Sequence, residues 1–384
     1  MPLATSGRID QLSDFKVWSR YVYTANVELL TYRFNIFNAI TNGGFRFSTG
    51  TRNQGDYSFE QFWKVLPDLV QEMDMHETTT NMGTRTDVPT ASLEQEQIND
   101  VKIARTLRMV HIPPGLFTWI LKSPGEGAMV IAENESQQMM RDCLYQTIQA
   151  YKIALEYSAS GAADHVTQVT SKRFYPTVGS GSTEKPAPLA LTTFMDAQQL
   201  MGDRQDEIVC WVMSSACATK FWKLAVTDKN TLLFTWGGVR VMADQWGRPF
   251  VIVDHPLLEG TTRVGTGPAD QKVFYILGLK PGAVGCDLNY DYAARTDDSL
   301  DGKRLMARKY QSNWTFNMRV MNFAWGSNLS RPKSPVNTEL ATGNRWVPTT
   351  SIPPSTFNAS QKSEFNLDTA RHLPGVIARV HAVD

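Results

Sequence analysis

The feature that most constrains the fold is the stretch of residues 128–160, which contains neither glycine nor proline. Pro124 and Gly127 precede this stretch, and Gly161 follows it. Its apolar residues recur at spacings of three and four, as on one face of a helix: Met140, Leu144, Ile148, Tyr151, Leu155 and then Ser158 or Ala159. The charged residues fall on other faces: Glu133, Glu135, Arg141, Asp142, Lys152 and Glu156. At about 1.5 Å per residue this helix would span roughly 45 Å, so we predict a spine on which separate lobes are built.

Composition limits the class of protein. The 384 residues exceed one compact core, and 42% hydrophobic and 10% aromatic residues suffice for two or more buried cores. Lys plus Arg equals Asp plus Glu at 38 each, so the basic excess of a dedicated nucleic-acid binder is missing, and any contact with DNA should be weak and non-specific. No apolar run reaches the ~18 residues of a membrane span, and the amino terminus has no signal-peptide pattern. We therefore expect a soluble, unsecreted chain.

The cysteines indicate neither a zinc site nor a redox motif. They lie far apart in apolar surroundings and without paired spacing: Cys143, Cys210, Cys217 and Cys286. We predict that all of them are buried free thiols in a reducing cytosol.

Sequence signatures of catalysis are not recognisable. Residues 265–267 lack the third glycine of a dinucleotide-binding loop, and residues 179–181 lack the Lys-Ser/Thr end of a phosphate loop. The six histidines have no metal-ligand spacing, and Asp-His-Pro at 254–256 is typical of a turn. The aspartates between 287 and 301 lack the pattern of a calcium loop and predict a solvated hairpin tip. We therefore predict no catalytic residue, no cofactor and no metal site.

Residues 1–56 combine a helical pattern with an extended segment. Apolar residues have helical spacing over 21–37, and Asn42-Gly43-Gly44 ends the pattern before a stretch of strand length at 45–51. We predict an arm without a core of its own.

Residues 57–112 have the pattern of a long hairpin. Residues 59–72 fit either an amphipathic helix or a strand, and residues 99–112 alternate as a strand does. Between them, residues 76–90 hold almost no apolar side chain. Because two strands alone bury too little surface to be stable, we expect the apolar legs to be buried only on a neighbouring surface.

A second lobe follows a predicted flexible link at 177–188. Its predicted elements are a helix at 194–201 capped by Thr192 or Thr193, a strand at 208–213, a helix at 216–225 capped by Ser214-Ser215, and a hairpin of 239–242 with 250–253. Trp211, Phe221 and Trp222 are candidates for its core. We expect residues 190–300 to fold as a unit.

Further strands are predicted at 272–279, 283–290 and 304–316. From residue 326 onward the chain is rich in Pro, Ser, Thr and Asn, which predicts an extended tail mostly without a core. The tail ends in a short apolar strand at 375–380.

Several segments resemble the major capsid proteins of tailed bacteriophages. They are FMDAQQLMGDRQDEIVCWVMSS at 194–215, WGGVRVMADQWGRPFVIVD at 236–254 and KSPVNTELATGNRW at 333–346. Weaker matches at 37–44 and 55–63 precede them in the expected order, so the resemblance covers nearly the whole chain. The family's usual Val-Met-His-Ser has Ser214 in place of the histidine, which leaves a helix cap but removes any lobe contact made by that histidine.

The resemblance implies an α+β fold, the tailed-phage major capsid protein fold. It divides the chain into an amino-terminal arm (1–56), an extended-loop hairpin (57–112), a peripheral domain with the spine helix (113–189), an axial domain (190–302), return strands to the peripheral domain (303–326) and a carboxy-terminal extension (327–384).

The implied function is self-assembly into hexamers and pentamers of an icosahedral head shell around packaged double-stranded DNA. The implied partners are further copies of the chain, a portal protein and, non-specifically, packaged DNA; a separate scaffolding protein and a cement protein are left open. The resemblance implies assembly in the host cytoplasm, a place in the virion capsid, no membrane contact and no enzymatic activity. As inter-subunit residues we select Phe62, Trp63, Glu72, Asp74, Arg105 and Arg108.

Two other classes fit a chain without a recognisable site. One is a β-rich phage tail or adhesin-type binding component, and the other is a hydrolase with a nucleophile such as Ser215. Imaging of the expressed chain separates them, because a capsid subunit forms capsomers or shells, a tail component forms trimers or fibres, and a hydrolase forms small oligomers.

Processing is a further expectation. Some members of the family carry an amino-terminal scaffolding segment that a protease removes, whereas here family-like sequence is reached by residue 37. We expect no such segment, assembly with a separate scaffold or none, and no Lys–Asn crosslink. The intact mass of the subunit from purified mature particles should then equal that of nearly the full chain. A loss of tens of residues, or ladders of linked subunits, would contradict this.

Overall fold

The computed structural model describes residues 12–51, 55, 57–63, 95–112, 124–157, 172–228, 234–236, 239–241, 246–265, 267, 270–289, 293–301, 304–326, 333–341, 345–348 and 373–382. The helices of this part are α1 (Leu12–Ile40), α2 (Pro124–Leu155), α3 (Thr193–Gln199), α4 (Ser215–Asp228) and α5 (Asn337–Leu340). Two sheets pack around α2, so the fold is a mixture of helix and sheet.

The first sheet has nine strands. Its strands are β1 (Phe45–Thr51), β2 (Tyr57–Trp63), β3 (Gln95–Thr106), β4 (Val110–Ile112), β14 (Val284–Asn289), β15 (Ala293–Asp301), β16 (Arg304–Val320), β17 (Phe323–Trp325) and β18 (Trp346–Pro348). The order is β1–β14–β16–β17–β18, with β15, β3 and β4 also paired to β16 and β2 paired to β3.

The second sheet has six strands. Its strands are β5 (Arg173–Phe174), β8 (Cys210–Met213), β11 (Phe250–Ile252), β12 (Glu259–Thr262), β13 (Gln271–Leu279) and β19 (Gly375–His381). The order is β11–β8–β13–β19–β5, with β12 also paired to β13. Two small ribbons remain, β6 (Thr177–Val178) with β7 (Lys185–Pro186) and β9 (Phe234–Trp236) with β10 (Val239–Val241).

The predicted spine is confirmed as the continuous helix α2 over residues 124–155, and residues 158–160 lie outside the described part. It begins at Pro124, whose fixed φ suits the first turn of a helix. At the other end, the guanidinium of Arg173 donates from Nε to the carbonyl of Leu155 at 2.6 Å and from a terminal nitrogen to that of Tyr157 at 2.5 Å. A cation that binds the last carbonyls satisfies groups with no partner inside the helix and favours its negative end.

The single apolar stripe predicted for α2 is wrong for its second half. Every residue from 146 to 155 is buried, because this half of the helix contacts both sheets. Glu135 is buried as well and accepts hydrogen bonds from the hydroxyls of Tyr310, at 3.0 Å, and Ser312. Lys152 is buried with its ammonium 2.8 Å from Glu156. Each buried charge thus has a polar partner, as burial requires.

The prediction that the first segment lacks a core is wrong for the described residues. Helix α1 packs along α2, and β1 pairs in parallel with β14, from Phe45 opposite Val284 onward. The side chain of Asn38 fixes the turn between α1 and β1 by exchanging two hydrogen bonds with the backbone of Phe47, at 2.7 and 3.0 Å. The aromatic side chains of the segment pack on one another with ring centroids 5.3–5.8 Å apart: Phe34, Phe37, Phe45 and Phe47.

The elements predicted at 194–201, 208–213, 216–225, 272–279, 283–290, 304–316 and 375–380 are confirmed as α3, β8, α4, β13, β14, β16 and β19. Ser214 caps α4 by accepting from the backbone N–H of Cys217 at 3.3 Å. Thr192 occupies the N-cap position of α3, as one of the two predicted residues, but its side chain makes no capping hydrogen bond; Thr193 Oγ1 accepts from the N–H of Ala190 at 3.0 Å. Trp211 and Phe221 lie in the core, whereas Trp222 is only partly buried.

The predicted hairpin of 239–242 with 250–253 is wrong. Strand β10 pairs with β9, and β11 instead pairs in parallel with β8, with Phe250 opposite Trp211. Packing explains the choice, since this register brings the ring of Phe250 to 5.3 Å from Phe194 and 5.4 Å from Phe221. The predicted flexible link at 177–188 is also wrong, because it contains the β6–β7 ribbon.

The six-stranded sheet takes strands from distant parts of the chain. Strand β19 lies between β13 and β5. Two strands of the sheet, β5 and β19, therefore lie outside residues 190–302. A fragment restricted to that range lacks β19, which pairs with β13 at all seven positions from Val273 to Leu279.

All four predicted buried thiols are confirmed as buried, free cysteines. Burial raises the pKa of Cys210 and of Cys217 to about 12. These thiols are therefore un-ionised and unreactive at neutral pH.

Tyr151 of helix α2 makes a close contact with the second sheet. The hydroxyl of Tyr151 donates to the carbonyl of Gly278 in β13 at 2.5 Å, and burial raises the pKa of this hydroxyl well above its ordinary value. Gly375, with φ +152°, starts β19 against the same carbonyl. A Cβ on Gly375 would overlap both the Gly278 carbonyl and the Tyr151 hydroxyl, so only glycine fits.

This contact predicts a contrast between two glycine variants. Gly375→Ala should lower the free energy of unfolding by about 3 kcal/mol or more, because backbone cannot move away as a flexible side chain can. Gly282→Ala is the matched control: Gly282 also has positive φ, at +69°, but an added Cβ there meets nothing within 4 Å. Its cost should be only about 1 kcal/mol. Urea unfolding of disassembled subunits measures both, and equal costs would contradict the overlap.

Candidate assembly surface

The predicted hairpin at 57–112 is confirmed in its two legs. Strands β2 and β3 pair antiparallel from Tyr57 opposite Val101 to Trp63 opposite Gln95. Residues 57–63 thus form a strand. Of the helix and the strand predicted as alternatives for residues 59–72, the strand is correct at the start of this segment. The polar tip at 76–90 lies outside the described residues.

The inner end of the hairpin belongs to this chain's own core. Beyond Val101, β3 pairs with β16 as far as Thr106 opposite Asn313. Val101 and Ile103 are fully buried. The prediction that the legs find burial only on a neighbour is therefore wrong for this inner end.

The outer edge of the hairpin is open. Among the described residues, β2 pairs with β3 alone and so lies at the edge of the sheet. An edge strand presents unpaired backbone N–H and C=O groups that can pair with another chain. This edge can therefore bind a second polypeptide by backbone pairing.

The residues selected for the interface have different environments. Phe62 and Trp63 lie on β2, but their side chains, like all of Glu72 and Asp74, fall outside the described part. Arg108 is exposed between β3 and β4.

Arg105, by contrast, contacts its own chain. Its Nε donates to Asp142 of α2 at 2.9 Å, and a terminal nitrogen donates to the side-chain oxygen of Asn337 in α5 at 2.6 Å. Its guanidinium carbon also lies 5.8 Å from the ring centre of Phe316.

Sequence reasoning missed the carboxy-terminal side of this site. The predicted coreless tail is wrong at α5 and at β18, because Leu340 and Trp346 are fully buried. Helix α5 starts with a capping contact, the N–H of Val336 donating to Glu339 at 3.0 Å. Glutamate three residues after the cap, following Pro335, is a helix-start signal that could have been found in the sequence.

The hydrolase alternative can be examined at Ser215. Asp254 accepts from the backbone N–H of Ser215 at 2.9 Å. Hydrogen bonds from the Ser215 side chain and then from this N–H lower the pKa of the exposed carboxyl. The adjacent His255 directs Nδ1 to the N–H of Leu257 at 3.0 Å and lies against the ring of Tyr145 at 5.0 Å. Asp254 therefore caps α4 and His255 fixes a turn, so the geometry favours structural roles over a Ser-His-Asp relay.

Within the described ranges, no group of three or more His, Cys, Asp or Glu side chains is arranged to hold a metal ion. No helix in this same part of the chain has the length and apolar character needed to cross a membrane.

His255 gives a pH prediction. Burial, and then the charge of Lys152, lowers the pKa of His255 to about 4. The unfolded chain, with an ordinary histidine pKa near ~6.5, takes up the proton first, so stability present above that pH is lost as the pH falls towards 4. In His255→Gln, the loss in free energy of unfolding between pH 7 and 4.5 should be smaller by about 1–2 kcal/mol, allowing for partial solvent screening. Urea titrations of disassembled subunits at both pH values measure it; identical pH dependence would refute the assignment.

Solved structures of phage proteins are similar to this chain. The capsid of Ralstonia phage GP4 is similar at 11% identity and a TM-score of 0.45, covering 83% of this chain and 90% of that one. The capsid of cyanophage Pam1 has 10% identity and a TM-score of 0.43 over 72% and 84%. A chain from Mycobacterium phage Cain has 12% identity and a TM-score of 0.42 over 77% and 88%. No curated protein matches.

The family itself is established by sequence over most of the chain. A family model for Gp13-like proteins, described as "Major capsid protein 13-like", matches residues 14–352. The match extends from α1 past β18 and so takes in α2, every strand of the nine-stranded sheet and every strand of the six-stranded sheet except β19. The chain belongs to the Gp13-like family of major capsid proteins.

Proposed function

We propose that this major capsid protein forms the hexamers and pentamers of an icosahedral head shell and that its β2–β3 hairpin makes the principal contact between neighbouring subunits. The observation that carries the capsid function is the family match over residues 14–352. Membership of this family places the protein in the virion capsid, where its role is structural. The tail or adhesin alternative is not favoured.

The hairpin is proposed as the contact for two reasons. Its outer part pairs only two strands, which is marginal without further burial, and its inner part is anchored between β16 and α2 by buried residues. An anchored base with an open edge suits an element that reaches a neighbour. Phe62, Trp63, Glu72, Asp74 and Arg108 are the proposed contact residues.

The domain assignment follows from the sheets. We assign α2 and the nine-stranded sheet around β16 to the peripheral domain (113–189 with 303–326) and the six-stranded sheet to the axial domain (190–302). With these bounds β14 and β15, which lie within 190–302, pair into the peripheral sheet, and β5, which lies within 113–189, pairs into the axial sheet. The extension at 327–384 then contributes β18 to the first and β19 to the second. Residues 1–56 add α1 and β1 to the peripheral side.

The proposal also covers partners other than further copies of the chain. A portal protein is required by a shell that is filled with DNA, and a separate scaffolding or cement protein is compatible with the chain. Equal numbers of acidic and basic residues, 38 each, favour weak and non-specific contact with the packaged DNA. No catalytic role is proposed.

Removal of the hairpin tip tests the proposal. Deletion of residues 76–90 should reduce the yield of shells by about tenfold or more, because a contact worth at least ~1.4 kcal/mol per subunit is lost. Replacement of the same residues by a Gly/Ser segment of equal length should have the same effect, which separates lost contact from shortened chain. Negative-stain imaging measures the shells, and thermal unfolding of the subunit should not change.

Normal shells from both variants would exclude residues 76–90 from the contact between subunits while leaving the capsid function intact. Trimers or fibres from the unmodified chain would instead support the tail or adhesin alternative.

A further inference from the structure

The base of the hairpin is held by a segment from the other end of the chain. We define the tail clamp as residues 333–341, which include α5. Ser334 Oγ accepts from the backbone N–H of Ala104 in β3 at 3.1 Å, and Asn337 accepts from Arg105 at 2.6 Å. Two consecutive residues of β3 are thus bound by residues more than 200 positions away.

The place of these contacts along β3 is specific. Pairing between β2 and β3 stops at Tyr57 opposite Val101, and Ala104 lies three residues further on. On its other side, Ala104 faces Thr315 of β16. The clamp therefore binds the edge of β3 that β2 leaves free, at the point where the hairpin leaves the body of the subunit.

The clamp is itself anchored in the core. Leu340 is fully buried, and Gln149 of α2 donates to the backbone carbonyl of Asn337 at 2.8 Å. The chain that follows is fixed by Trp346, whose ring packs edge-on against Trp325 at 5.2 Å. Because α5 and the chain after it are held in the core, the clamp can act as a fixed support for β3.

Arg105 joins the three elements that meet here. It lies on β3, pairs with Asp142 on α2 at 2.9 Å and binds Asn337 on α5 at 2.6 Å. The flat guanidinium can donate in two directions at once, which a lysine ammonium on a flexible stem does poorly. The ion pair is partly shielded, with 18% of the Arg105 and 27% of the Asp142 side chain exposed.

We propose that Arg105 and the tail clamp set the direction in which the hairpin leaves the subunit, with Arg105 as a positioning residue that does not touch the neighbour. This rests on the proposed function of the hairpin as the contact between subunits. The described outer pairs extend from Val101 to Gln95, about 20 Å at ~3.3 Å per residue. A rotation of about 10° at the base would move the far end of these pairs by about 3.5 Å. A displacement of this size exceeds what a close-packed interface tolerates.

The test is a mutant cycle in the full-length chain. The variants are Arg105→Ala, the pair Asp142→Ala with Asn337→Ala, and the triple variant. Shell yield should fall about tenfold in each of the first two, and the triple variant should be no worse, because Arg105 acts only through the other two side chains. Arg46→Ala, which removes an exposed arginine from β1, is the matched control and should keep the unmodified yield.

Hydrogen exchange supplies a readout that a general loss of stability would not reproduce. In the first three variants, amides of residues 95–101 should exchange about tenfold faster, whereas those of β13 should not change. Ser334→Ala, which removes a single hydroxyl, should show a smaller shift in the same direction and serves if Arg105→Ala does not fold.

Three outcomes would overturn the proposal. Losses that multiply in the triple variant would mean that Arg105 contacts the neighbour directly. Faster exchange in β13 as well would mean general destabilisation, and unchanged shells in all variants would mean that the clamp has no role in assembly. An unmodified chain that forms no shells would instead contradict the proposed function.

Discussion

The subunit depends on the contact between Tyr151 and the Gly278 carbonyl. Helix α2 can lie close to the second sheet only because β13 and β19 have glycine at the meeting point, Gly278 and Gly375. The indole of Trp211 in β8 also packs against Gly278, since a Cβ added to Gly278 would lie 2.6 Å from the indole ring. One hydroxyl, two glycines and one indole therefore join the spine helix to three adjacent strands. In a close-packed interior, a change in any of them displaces the others.

The spine buries several polar and charged groups. Glu135 accepts from two hydroxyls of β16, Lys152 pairs with Glu156 and lies 3.9 Å from the ring centre of Tyr275, and Arg173 binds the last carbonyls. Such groups contribute little net stability, but each is costly if its partner is lost. They therefore favour one register of the helix over others that an apolar stripe alone would allow.

Local patterns in the sequence predicted the local structure. The absence of Gly and Pro together with helical spacing of apolar residues predicted α2, and alternation of apolar and polar residues predicted β3 and β16. The position of Ser214 before an apolar helical segment predicted the cap of α4. Features that depend on distant residues were not predictable in this way. Strand β11 pairs with β8 instead of its sequence neighbour because of packing on Phe194, and Glu135 is buried because β16 covers it.

The candidate site likewise has features that a local sequence pattern predicts and contacts with distant residues that it does not predict. The hairpin was visible as two patterned legs around a polar tip, but the intramolecular partners of Arg105 come from α2 and from a tail that composition alone made look extended. A polar side chain on a strand gives no local sign of which distant segment will bind it. Helix α5 did carry a signal, Glu339 after Pro335, but the fully buried Leu340 could be recognised only in the fold.

The place of β19 has a consequence for synthesis on the ribosome. This strand fills the gap between β13 and β5, yet it is translated about 200 residues after β5, so the six-stranded sheet stays incomplete until nearly every other element has emerged. A nascent chain that already displays its hairpin thus still lacks a finished lobe. Until β19 is translated, the edge of β13 that it covers stays open in the nascent chain, as an unpaired strand edge.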